Sequence, residues 1–71
     1  MNLPDFQGEP VTVGDRVLPV GWGDGIPLWL SNTEGTVVGL GRTSLWVRFD
    51  MVVYDERLTH HAAPSRHFRK R

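Results

Sequence analysis

The sequence contains no cysteine, which excludes a disulfide framework and any site built on thiolates. It contains no apolar run long enough to span a membrane as a helix. Nowhere do apolar residues recur at i, i+3, i+4 and i+7 over three turns, so no long helix is expected. Met1–Pro10 lacks the basic segment and apolar stretch of a secretory signal, and the expected location is the cytoplasm. Net charge is lacking as well, with eight Lys and Arg against eight Asp and Glu. That balance hides an asymmetry. Residues 1–56 carry three arginines and eight carboxylates, whereas residues 57–71 carry four arginines, one lysine and no carboxylate. Such a separation points to a polyanion or an acidic protein as partner.

What is present is patterned for strands. Thr36–Leu40 and Ser44–Asp50 flank Gly41, Arg42 and Thr43, and the whole reads as a β-hairpin. In the second segment Leu45, Val47 and Phe49 fall on one face, and Trp46, Arg48 and Asp50 on the other. This is the period-two signature of a strand with one dry and one wet side. Gly39 within the first segment marks a bulge or tight bend. With 71 residues the chain makes one domain at most, and a domain of this size buries only roughly 60% of its unfolded surface.

In chain order, Met1–Pro10 reads as an arm broken by Pro4, Gly8 and Pro10. Gly14-Asp15 marks a turn into a strand over Asp15–Val20, with Val17 inward. Pro19 makes that strand an edge, bulged, or finished at that point. Gly21–Thr33 is a long loop with Trp22, Ile26, Leu28, Trp29 and Leu30 set among glycines and a proline. It is too apolar to be merely solvated, so some of these groups cover the body or meet a partner. Trp22 is the expected exposed anchor and Trp29 the expected plug. Met51–Tyr54 continues apolar, as a bent strand or a folded-back loop. Arg57–His61 reads as a short strand with Leu58 inward, Ala62–Ser65 as a corner opening a 3₁₀ turn, and Phe68 as the last core residue. The expected core is Val17, Val37, Leu45, Val47, Phe49, Leu58 and Phe68. The fold class is all-β: a small barrel or roll of four to five short antiparallel strands, with one 3₁₀ turn before the last.

The segments VTVGDRV, GTVVGL, LWVRFD and APSRHFRKR together resemble the SH3-like small barrels, a group that includes KOW and Tudor domains. The resemblance rests on Gly14-Asp15 before the first strand, the Gly35-Thr36-Val37 step, Phe49-Asp50 closing a strand, and the Pro64-led turn into Phe68. It covers residues 11–71 and implies a closed barrel. Pro19 and the long apolar loop depart from the compact KOW pattern. One SH3-like barrel, the small plasmid-encoded dihydrofolate reductase, builds an active pore from four copies, but no segment here matches its ligand-binding strand.

Three functional classes compete. The best fit is a small non-enzymatic binding or accessory protein acting through protein contacts or self-assembly, with Trp22, Trp29, Trp46 and Tyr54 as anchors. The alternative is a nucleic-acid-binding regulator. There Arg42, Arg48, Arg66, Arg69, Lys70 and Arg71 would meet phosphates and Trp46 would stack on a base. Against it stands the bland reading of a basic, soluble tail on an acidic body. Catalysis is the least supported class, and it would need a site assembled between subunits. Asp50, Asp55 and Glu56 sit in an expected loop without a partner residue, and Ser44 and Ser65 lack any framework for activation. His60, His61 and His67 are close in sequence. Adjacent histidines on a strand face opposite sides, however, so neither a metal site nor a cofactor is expected.

Overall fold

The computed structural model describes residues 1–20, 25–51 and 59–71. Its centre is the expected hairpin, β4 (Gly35–Leu40) and β5 (Ser44–Phe49). The turn between them closes with the Gly41 N–H donating to the Ser44 carbonyl at 2.8 Å. Val37 pairs with Val47 and Gly35 with Phe49, and the register shifts between Val37 and Gly39, where a bulge was expected. Gly35 is required by close approach. A Cβ there would lie 2.6 Å from Val47 Cγ1 and 2.8 Å from the Arg48 carbonyl oxygen.

Around this hairpin, β3 (Arg16–Pro19), β6 (His60–Pro64) and β7 (Phe68–Lys70) complete one five-stranded antiparallel sheet in the order β6-β5-β4-β3-β7. The 3₁₀ turn η2 (Ser65–His67) stands immediately before β7, and a further one, η1 (Leu28–Leu30), precedes β4. Two short strands, β1 (Leu3–Pro4) and β2 (Pro10–Val11), pair with each other in a separate hairpin. Among the described residues no helix is long and apolar enough to cross a membrane.

The sheet is an open roll, and this corrects the closed SH3-like barrel that the sequence resemblance implied. The ladder order has two ends, and no ladder among the described residues joins β6 to β7. The margin of β7 is already taken. Phe6 N–H donates to the Phe68 carbonyl at 2.7 Å, and Lys70 N–H donates to Asp5 Oδ2 at 2.8 Å. Those two groups, satisfied by the N-terminal arm, are no longer free to pair with β6 across a seam. The analogy to a barrel enzyme built from four copies loses its basis with the barrel.

Alternation carries the core. Val17 from β3, Val37 from β4, Leu45, Val47 and Phe49 from β5, and Phe68 from β7 are all buried, as expected. Leu58 lies outside the described residues. Val11, Ile26, Leu30 and Ala63 complete the cluster, with Leu3, Leu40 and Met51 packed against it. Phe49 and Phe68 meet at 6.3 Å between ring centroids. β3 ends at Pro19, one of the outcomes proline allowed, and it is an interior strand flanked by β4 and β7.

Two local expectations are corrected. The strand placed at Arg57–His61 begins at His60 and runs through Pro64, so Ala62–Pro64 is strand rather than corner. Trp29 is no plug: it is 53% exposed, and Leu30 beside it fills the interior instead.

Candidate binding surface

The outer face of the sheet is built by residues that alternate with the core. Register places Arg16 opposite Thr36, Thr36 opposite Arg48, and Arg48 opposite His60, so these four form one row across β3, β4, β5 and β6. Trp46 lies in the next row, with Gly39 opposite it on β4 and Ala62 on β6. Both neighbours are small, and the indole stands 45% exposed on the wet face that the alternation assigned to it. Its ring stacks on His60 at 6.5 Å with an interplanar angle of 28°. Val38 is exposed close by.

The adjacent histidines of β6 face opposite sides, as strand geometry requires. His60 goes to Trp46, while His61 meets Trp29 edge-on at 6.2 Å and Phe49 at 6.0 Å. The two described tryptophans therefore bracket β6, one on each side. This margin is also guarded by Gly25, whose φ is +103°. A Cβ at that position would fall 2.3 Å from the Ala62 carbonyl oxygen, so the residue-25 backbone lies directly against β6. Trp22 and Tyr54, the other two expected anchors, lie outside the described residues.

Charge is distributed less freely than the sequence suggested. Arg16 donates to Glu34, Thr36 and Asp50, and its bidentate pair with Asp50 anchors a surface network. The hydrogen bond from Arg16 holds the Asp50 carboxyl below the usual range, against the opposing effect of burial, with the charges of Arg16 and Arg48 helping. The same contacts raise the Arg16 guanidinium further above its ordinary value. Arg71 reaches Glu34 at 3.4 Å, and Lys70 reaches Asp15 at 3.6 Å. The basic end is thus a paired strand, β7, with two of its charges answered by acids of the body. Among the described residues, Arg42, Arg48, Arg66 and Arg69 make no close ion pair, although the charge of Arg48 acts on Asp50 at longer range. Arg42 sits in the β4–β5 turn. Arg66 lies near it on η2, where Ser65 N–H donates to the Thr43 carbonyl. A shallow cleft of about 390 Å³ adjoins Arg66, lined also by Leu3, Pro4, Thr43, Pro64, Ser65 and His67.

Sequence reasoning missed Asp5. Its side chain is fully buried and accepts three backbone N–H groups: Gln7 and Glu9 on Oδ1, both at 2.8 Å, and Lys70 on Oδ2. Burial pushes its carboxyl up, yet the N–H groups of Lys70, Glu9, Gln7 and Gly8 outweigh that and hold it below its ordinary value. The available signal was Asp5 followed by Gly8, which is turn chemistry with a side-chain acceptor. Gly8 has φ +84°. Among the described residues no group of three His, Asp or Glu is arranged to hold a metal ion. No protein-family model, no curated protein and no solved structure matches the chain.

Proposed function

We propose that this is a non-enzymatic binding module that recognises a protein partner, or a second copy of itself, through the outer sheet face around Trp46. One observation carries the reading: an indole held on a rigid strand, between Gly39 and Ala62, with Val38, Arg48 and His60 around it. Trp and Arg are the residues favoured at interface centres, because they bring large contact area with a polar handle. Placement on a strand rather than a loop presets the ring, so little ordering entropy is lost on docking.

A second reading is single-stranded nucleic acid. It is favoured by Arg42 and Arg48, which make no close ion pair among the described residues, although Arg48 acts on Asp50 at longer range, and which sit in the β4–β5 turn and in the strand that carries Trp46. An aromatic platform with nearby cations suits stacked bases and phosphates. Lys70 and Arg71 support it less, since their charges are answered within the chain.

One experiment separates the two. Trp46→Ala leaves the core untouched and should fold like the parent. Parent and variant are compared by sedimentation, by affinity capture from source cells, and by electrophoretic shift with single-stranded DNA, duplex DNA and RNA at two salt concentrations. Loss of self-association or of one protein partner supports the main reading. Loss of salt-sensitive single-strand binding supports the second. A variant that matches the parent in every assay removes both.

A further inference from the structure

The β7 margin is closed in an unusual way. In the β3–β7 pairing, His67 O accepts from Val20 N–H and Arg71 N–H donates to Arg16 O, so these groups point toward β3. Phe68 O and Lys70 N–H point the other way, to the margin. There they meet Phe6 N–H and the Asp5 carboxylate instead of a strand. One backbone N–H and one side-chain oxygen thus imitate a sixth strand. The arm that supplies them, residues 1–11, is acidic: it holds Asp5 and Glu9 and no Lys or Arg. The strand that receives it carries Arg69 and Lys70, with Arg71 next in the chain. Lys70 Nζ additionally donates to the Pro10 carbonyl at 3.2 Å.

We propose that the β7 margin is a capture site for this acidic arm and that it accepts the arm of a second copy as well as its own, giving an arm-exchanged dimer. The contacts of the arm with β7 are the same in cis and in trans, so exchange sacrifices the intramolecular advantage and the hydrogen bonds of the connecting turn. That advantage depends on the connection Thr12–Asp15. It folds into a tight turn, with Thr12 N–H on Asp15 Oδ2, Asp15 N–H on the Thr12 carbonyl, and Gly14 at φ +97°. Short connections of this kind invite exchange when strained. The surface is distinct from the Trp46 face, and the proposal stands or falls separately from the function assigned to that face.

Val13 is exposed within this turn, so its deletion shortens the connection without removing a core group. For the parent, the effective concentration of its own arm is on the order of millimolar, and the monomer should dominate below that. The Val13 deletion should dimerise at concentrations lower by roughly 100-fold. Its Lys70 amide should stay protected from hydrogen exchange, and adding Asp5→Asn should dissolve the dimer. A deletion variant that stays monomeric with a fast-exchanging Lys70 amide overturns the proposal. So does a dimer indifferent to Asp5→Asn. A second measurement spares the turn altogether. Pro4 and Arg66 line one cleft and come from arm and body. Chains carrying Pro4→Cys and chains carrying Arg66→Cys are unfolded and refolded together at high concentration under oxidising conditions. Mixed disulfides well above those formed by chains refolded apart support exchange, and equal yields refute it.

Discussion

The two margins of the sheet are made in different ways. On one side, β4, β5 and β6 are held by side-chain alternation. Val37, Val47 and Ala63 face inward, and β6 packs its histidines against Trp46 on one face and Trp29 on the other. On the other side, β7 is held against β3, and its outer edge is completed by a buried carboxylate 65 residues earlier in the chain. The first margin depends on apolar area, which is forgiving of detail. The second depends on one charged group with three N–H partners, which is not. A small open sheet has two edges to protect, and this chain guards one with backbone at Gly25 and the other with a side chain.

The contrast can be broken at either end. The largest effect is expected at the hairpin. Phe49 is buried against Phe68 and His61, and Phe49→Ala should cost about 3–5 kcal/mol by loss of contact plus cavity. Chemical denaturation checks this, and for so small a domain the variant is expected to be largely unfolded. Next comes the β7 margin. Asp5→Asn keeps the shape but substitutes a donor for one acceptor oxygen, leaving a buried N–H without its partner at a cost of about 1–3 kcal/mol. Its pH signature is specific. The Asp5 carboxyl lies below its unfolded value. Its stabilisation is therefore complete above the ordinary aspartate value of 3.8 and fades as the pH falls through the lower folded value. Denaturation curves between pH 5 and 2 should fall less steeply for Asp5→Asn than for the parent.

Gly25→Ala tests the opposite edge. It combines a left-handed backbone with a clash against the Ala62 carbonyl, and should cost about 1–3 kcal/mol, measured by thermal unfolding. The smallest effect belongs to the surface network. Arg16→Gln should lower the denaturation midpoint slightly in dilute buffer, and the difference should vanish at high salt, because exposed ion pairs are screened.

Which parts were legible in the sequence follows from the same division. The β4–β5 hairpin was readable because its alternation is local: Leu45, Val47 and Phe49 declare their face without reference to anything distant. The bulge at Gly39 and the turn before Phe68 were readable for the same reason. β6 was placed too early because Ala62-Ala63-Pro64 carries no strand propensity. It forms a strand because Ala63 faces Leu45 in the register, and because Pro64 is tolerated at a sheet margin. Trp29 reads as the plug once Trp22, between two glycines, is taken as the exposed anchor, but Leu30 and Ile26 already occupy the interior. Barrel closure was inferred from motifs that are all local, whereas closure is decided by what lies beside β7. Asp5 could not be paired from sequence, since nothing near it names Lys70. Of the surface, Trp46 was placed correctly on the wet face, and the answering of Lys70 and Arg71 by body acids was out of reach, because it depends on three-dimensional proximity alone.

The central claim is that the Asp5 carboxylate, beside the Phe6 N–H, holds the β7 margin closed at Lys70. Residue-resolved hydrogen exchange of the Lys70 amide, in parent and in Asp5→Asn at neutral pH, tests it most directly. The account predicts that Lys70 is protected in the parent and loses most of that protection in the variant, while the Val37 and Val47 amides remain slow. Equal protection of Lys70 in both proteins would contradict it.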